Sequence, residues 1–161
     1  MGAVHVSAAD GVAPRTIVCL GDSLTAGLGL PTDQAYPALL QQRLDERRLH
    51  YRVVNAGISG DTSAGGLDRL DAALQTRPAV LVLALGANDG LRGLPADQLR
   101  RNLESIIERA TARRSTVVLA GMEAPPNFGA RYTAEFRRVY ADLAARHRLA
   151  FVPFLLAGVA G

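Results

Sequence analysis

Apolar residues in this chain fall into two kinds of run that alternate from end to end. Short, nearly continuous apolar runs occupy residues 16–20, 51–55, 80–85, 116–120 and 149–152. They are too short for helices and rich in Val, Ile and Leu, so they predict strands. Between them apolar residues recur at helical spacing. Leu39, Leu40, Leu44 and Leu49 share one face behind Tyr36-Pro37, and Leu67, Leu70 and Leu74 do the same before Arg77-Pro78. Leu99, Leu103, Ile106 and Ile107 mark a third helix after Pro95-Ala96-Asp97, and Phe136, Val139, Tyr140 and Leu143 a fourth. Strands without polar alternation are buried on both faces, and strands alternating with helices make a parallel sheet with right-handed connections. The expectation is an α/β fold: a three-layer α/β/α sandwich on a five-stranded parallel sheet of flavodoxin-like order 2-1-3-4-5.

The polar segments are unequal. The turns entering strands are plain: Arg47-Arg48-Leu49-His50, Thr76-Arg77-Pro78 and Arg113-Arg114-Ser115. The turns leaving strands are chemically loaded. They read Gly21-Asp22-Ser23, then Gly57-Ile58-Ser59-Gly60-Asp61-Thr62, then Gly86-Ala87-Asn88-Asp89-Gly90, then Glu123-Ala124-Pro125-Pro126-Asn127-Phe128-Gly129. This asymmetry puts a site at the C-terminal edge of the sheet, where open α/β sheets bind ligands. Ser23 is a candidate nucleophile. Its own N–H lies at a helix start, Gly60 offers a second N–H, and the Asn88 amide a third donor. Together they could hold an oxyanion in acyl transfer. Each has a plainer role as helix cap, turn glycine and turn former. Their occurrence at successive strand ends is what points to a site.

Composition narrows the reading. The chain has 161 residues, 48% hydrophobic and 20% charged, with a formal charge of +3, as expected for one globular domain. All 18 basic residues are arginine. They are scattered along predicted helices among Asp and Glu, so we read them as compositional and expect no nucleic-acid partner. The single cysteine, Cys19, forms no disulfide within the chain and reads as a small buried hydrophobe. No apolar run reaches ~18 residues. With no phosphate-binding Gly-Lys-Ser loop, no lysine, and no His/Asp/Glu set at ligand spacing, no cofactor and no metal site is expected. Residues 1–15 read as a flexible lead-in, or as what remains of an exported protein after its signal is removed, and residues 16–161 as a single domain.

With these blocks in place the chain resembles the GDSL or SGNH hydrolases. Gly21-Asp22-Ser23-Leu24, Ser59-Gly60-Asp61-Thr62 and Gly86-Ala87-Asn88-Asp89 match three of that family's four blocks. Asn55-Ala56-Gly57-Ile58-Ser59-Gly60-Asp61-Thr62, Asn88-Asp89-Gly90-Leu91-Arg92-Gly93 and Pro125-Pro126-Asn127-Phe128-Gly129 with Tyr132 are similar to the bacterial thioesterase I, arylesterase and lysophospholipase branch. The resemblance implies a serine ester hydrolase acting through an acyl-enzyme on a small acyl ester or thioester, periplasmic or secreted. Ser23 would be nucleophile and oxyanion donor, with Gly60 and Asn88 completing the hole. Asp22 resembles a buried structural carboxylate and is grouped with Leu91, Pro126, Asn127 and Phe128 on the substrate side. Asp61 and Asp89 would order loops. The family's fourth block, Asp-x-x-His, follows the fifth strand and precedes a final helix. Here that strand runs into Pro153-Phe154-Leu155-Leu156-Ala157-Gly158, and Gly161 is reached without such a block. The expectation is a C-terminally shortened domain without the final helix or the triad Asp and His. Its activity would be strongly impaired, and it would be prone to pair with a second copy through the uncovered sheet face. The alternatives are a non-catalytic acyl or ester binder, or a base supplied by another chain.

Overall fold

The computed structural model describes residues 13–159. All five expected strands form: β1 Arg15–Gly21, β2 Tyr51–Gly57, β3 Val80–Ala84, β4 Thr116–Ala120 and β5 Ala150–Val152. They pair in parallel in the order β2-β1-β3-β4-β5, as expected. The helices are α1 Ser23–Ala26, α2 Tyr36–Glu46, α3 Ser63–Asp68, α4 Leu70–Ala73, α5 Ala87–Leu91, α6 Ala96–Ala112 and α7 Ala130–His147, with single 3₁₀ turns at Thr32–Gln34 and Pro126–Phe128.

Register decides which side chains make the core. Leu81 lies beside Val117 and Leu83 beside Leu119, with Phe151 next to Leu119. Side chains alternate across a strand, so these share one face. That face meets Leu99, Leu103, Ile106 and Ile107 of α6 and Phe136, Val139, Tyr140 and Leu143 of α7, all buried. The chain steps from β1 to β2 in one direction and from β3 to β5 in the other. Right-handed crossovers therefore put α2 on the opposite face from α6 and α7. Gln41 of α2 closes the outer edge of β2: its amide donates to Tyr51 O at 3.0 Å and its carbonyl accepts the Val53 N–H at 2.7 Å.

On α2's face the sheet is less covered. Val80, Val82 and Val118 are half-buried, and Thr116, Ala150 and Val152 are exposed. Among the described residues no helix follows β5. Two helix expectations need correction. Leu39 and Leu49 point outward, each 45% exposed, because α2 ends at Glu46 and lies over the β2 side only. The segment holding Leu67, Leu70 and Leu74 is two short helices that break at Arg69. The Arg69 side chain is committed elsewhere, as follows.

Candidate active site

β1 ends at Gly21 and the chain turns directly into α1. Asp22 caps that helix, its Oδ1 accepting the Leu24 N–H at 2.9 Å. Ser23 is the first residue of α1 and half-buried. Its N–H is one of the helix's orphan donors and enters no backbone hydrogen bond of the described loops. Gly60 is exposed with φ +87°, and a Cβ there would meet nothing. The left-handed backbone, not crowding, is what calls for glycine. Asn88 sits in α5 and donates from Nδ2 to Asp61 O at 2.8 Å. That bond fixes the amide against the Gly60 loop and leaves its second hydrogen free. All three residues stand at the C-terminal edge of the sheet.

Contacts between sequence-distant residues hold these loops together, and the pattern along the chain did not announce them. Ile58 N–H donates to Gly21 O at 3.1 Å. Arg69 spans three segments: Nε to Asp61 Oδ2 at 2.6 Å, Nη1 to Ala56 O at 2.8 Å and Nη2 to Gly21 O at 2.8 Å. One planar guanidinium thus ties the ends of β1 and β2 to the loop after Gly60. Asp89, almost fully buried, accepts the Ser63 N–H at 2.8 Å and the Ser63 hydroxyl at 2.5 Å, while Asn102 Nδ2 donates to Ser63 Oγ at 2.9 Å. Asp61 and Asp89 are therefore engaged in loop order. A further anchor is Tyr140, whose hydroxyl donates to Leu85 O at 2.9 Å inside the core. A Cβ on Gly86, φ +116°, would overlap that hydroxyl, so the turn leading to Asn88 needs glycine for both reasons.

Asp22 requires a correction. Its reading as a buried structural carboxylate agrees with its full burial, but its grouping with the substrate-side residues does not, because it lines no open surface. Its Oδ2 has no hydrogen-bond partner. Burial pushes its carboxyl above the ordinary range; the Leu24 N–H opposes this, and the Asp61 and Asp89 charges add to it. Leu91, Pro126, Asn127 and Phe128 are exposed. Phe128 packs edge-on to Tyr132 at 5.5 Å, and the Tyr132 hydroxyl donates to Leu94 O at 2.7 Å. The ladder continues through Phe136 to Tyr140 at 5.9 and 5.8 Å. One face of α7 thereby joins the loops after β3 and β4.

The two described histidines, His50 and His147, lie far from Ser23. The His50 carbonyl accepts the Arg15 N–H at 3.2 Å, level with the first residue of β1, whereas Ser23 follows its last. Seven residues of strand separate them by roughly 20 Å. His147 ends α7, its Nε2 3.2 Å from Glu104 Oε1. His5 lies outside the described residues. Glu104, Glu108 and His147 bring their potential ligand atoms within 4.8 Å of one another. Two helices build that cluster, which spacing along the chain does not reveal. Arg146 Nη1, 2.9 Å from Glu104 Oε1, already partners one of its carboxylates.

A family model for the GDSL-like lipase/acylhydrolases matches residues 19–161. Esterase TesA of Pseudomonas aeruginosa is 52% identical over 150 residues, 92% of this chain and 75% of the relative. Thioesterase 1/protease 1/lysophospholipase L1 of Escherichia coli is 39% identical over 145 residues, 89% of this chain and 68% of the relative. Among solved structures, the psychrotrophic esterase EstA from Pseudoalteromonas sp., inhibited by monoethylphosphonate, superposes with a TM-score of 0.85 at 35% identity, covering 90% of this chain and 80% of that one.

Proposed function

The chain belongs to the GDSL-like lipase/acylhydrolase family and is a carboxylic ester hydrolase, and from that premise we propose that it works through an acyl-enzyme on Ser23. What supports this reading is the placement of Ser23, Gly60 and Asn88 in loops leaving three strands at one sheet edge, with the Asn88 amide tied to Asp61 O beside Gly60; the donors would be the Ser23 N–H, the Gly60 N–H and the free hydrogen of the Asn88 amide. Ser23 Oγ attacks the carbonyl carbon of an ester or thioester and loses its proton to a base. The carbonyl oxygen becomes an oxyanion held by the three donors. The intermediate collapses, the alcohol or thiol leaves with a proton, and water then releases the acid from Ser23. Leu91 and Phe128 supply apolar surface at the rim for the acyl chain. No metal or cofactor is needed for any of these steps.

The base is the weak point. In the family pattern it is the histidine of Asp-x-x-His, and the described residues place no imidazole within the ~3 Å that proton transfer requires. We expect turnover by this chain to be low, sustained by oxyanion stabilisation and binding alone. In an analogous triad on another fold these leave roughly 10³–10⁴-fold over water.

Hydrolysis of p-nitrophenyl butyrate tests the reading, run on this chain, on Ser23→Ala, and on a form extended by a segment bearing Asp-x-x-His. The expected order is extended form fastest by roughly 10²–10⁴-fold, then this chain, then Ser23→Ala at background. Hydrolysis untouched by Ser23→Ala sinks the nucleophile assignment. A chain as fast as the extended form favours a base donated by a second copy. Ester binding without turnover favours a non-catalytic binder. Since EstA is seen inhibited by monoethylphosphonate, a phosphonate ester should label Ser23 in the extended form and leave the extended form carrying Ser23→Ala unlabelled, read by mass spectrometry.

A further inference from the structure

The arginines scattered along the sequence are gathered by the fold at the entry ends of the strands. One stands before or at the start of every strand: Arg48 before β2, Arg15 opening β1, Arg77 before β3, Arg114 before β4 and Arg148 before β5. In sheet order they run Arg48, Arg15, Arg77, Arg114, Arg148. Strands lie about 4.8 Å apart, so this row crosses an edge of about 19 Å. All five are exposed. None has a carboxylate within 4.0 Å among the described residues, though Asp45 lines the same recess as Arg48. Arg77 and Arg114, with Arg113, also line a concavity of about 560 Å³. Only Arg113 is engaged there, 2.7 Å from Asp71.

A second observation is independent of exposure. Among the described residues, the four non-glycine residues with positive φ are Arg48 at 55°, Arg77 at 49°, Arg114 at 64° and Arg148 at 52°, and they are four members of this row. Each follows a helix and precedes a strand. Three complete a Schellman pair: Arg48 N–H to Asp45 O with Leu49 N–H to Leu44 O, Arg114 N–H to Thr111 O with Ser115 N–H to Ala110 O, and Arg148 N–H to Ala145 O with Leu149 N–H to Ala144 O. At Arg77 the second bond is barred because Pro78 has no N–H. Glycine adopts this conformation without strain and a side chain does not. The chain has 16 glycines, yet arginine holds all four positions. Helix termination alone does not account for that choice.

We propose that this edge is a docking surface for an anionic phospholipid bilayer. Guanidinium forks pair with phosphate oxygens, and a row along one edge suits a flat array of headgroups. Leu49, 45% exposed beside Arg48, adds an apolar contact for the interface. Single-stranded nucleic acid would call for a series of aromatic stacking platforms, and among the described residues the edge offers Tyr51, already covered by the Arg15 guanidinium at 5.4 Å, and the single imidazole of His50. Ser23 stands at the opposite edge, so a docked molecule holds its ester site away from the membrane, open to soluble substrates. The proposal is independent of how Ser23 acts.

Vesicle flotation tests it without reference to activity. The wild type is mixed with phosphatidylcholine vesicles, with and without phosphatidylglycerol, at low salt and at ~0.5 M salt, where screening shortens to about 4 Å. The edge variant is Arg77→Gly with Arg114→Gly and Arg148→Gly, which relieves backbone strain and so retains the fold. The control, Arg101→Gln with Arg137→Gln and Arg138→Gln, removes the same charge from exposed helix positions. Binding is expected only to phosphatidylglycerol vesicles and only at low salt. The edge variant should lose roughly fivefold per arginine, about 100-fold in all, while the control stays near wild type. Absence of binding to anionic vesicles overturns the proposal, as does an equal loss in the control. Tighter binding to duplex DNA than to vesicles at the same salt assigns the edge to nucleic acid instead and also overturns it.

Discussion

Arg69→Ala should be among the most damaging changes close to the site, although Arg69 is not an oxyanion donor. Its guanidinium makes three hydrogen bonds to three segments, at 2.6, 2.8 and 2.8 Å. Hydrogen bonds involving a charged group contribute roughly 1.5–3 kcal/mol each, which taken additively would exceed 4 kcal/mol. Arg69 and Asp61 keep 21% and 18% of their side-chain surface exposed, so water replaces part of what is lost. We expect a destabilisation of about 3 kcal/mol and a fall in Tm of roughly 6–12 °C for a chain of this length. Arg69→Lys should recover little, because a single ammonium cannot reach a carboxylate and two separate carbonyls with fork geometry. Urea denaturation of Arg69→Ala, Asp61→Asn and the double variant gives the pair's coupling, expected at about 1–2 kcal/mol. An alanine variant within about 0.5 kcal/mol of wild type, the scatter of ordinary surface substitutions, would refute the clamp. Full recovery by lysine would show that charge, not the fork, is what matters.

Three further outcomes follow from the same geometry. Burial raises the folded-state pKa of Asp22 above its ordinary value of 3.8, so its contribution to stability is full at low pH and declines as pH rises through the folded value. Asp22→Asn should therefore gain on wild type as pH rises above the ordinary carboxyl value of 3.8 in urea titrations, and parallel pH profiles would contradict this. Cys19, buried and with its thiol pushed up to about 11, should resist iodoacetamide at neutral pH until the chain unfolds; prompt labelling of the native protein would count against it. Gly86→Ala should cost about 3 kcal/mol or more and Tyr140→Phe about 1–2 kcal/mol. The alanine should be better tolerated once the tyrosine hydroxyl is removed, and additive losses in the double variant would refute that crowding.

Strand periodicity, short connections and the handedness of crossovers are local or nearly local constraints, so the sheet order and the edge carrying Ser23, Gly60 and Asn88 could be read from the chain. The same holds for the inward faces of α6 and α7, where long apolar spacing leaves one solution. What failed depended on which strands become neighbours. Leu39 obeys helical spacing yet faces solvent, because its helix covers only one side of the sheet. The hydrogen bond from Arg69 to Gly21, 48 residues away, exists only once β1 and β2 end side by side. Ser63 finds Asp89, and Asn102 finds Ser63, by the same route, and Glu104 meets His147 only where two helices run together. Asp22 shows the limit at a single residue: its place in the Gly-Asp-Ser turn, and by resemblance its burial, were plain from the sequence, but only packing decided that one carboxylate oxygen is left without a hydrogen-bond partner. The arginines make the same point for a surface. Along the chain they are dispersed, and parallel strands, by aligning all their entry ends, collect them at one edge.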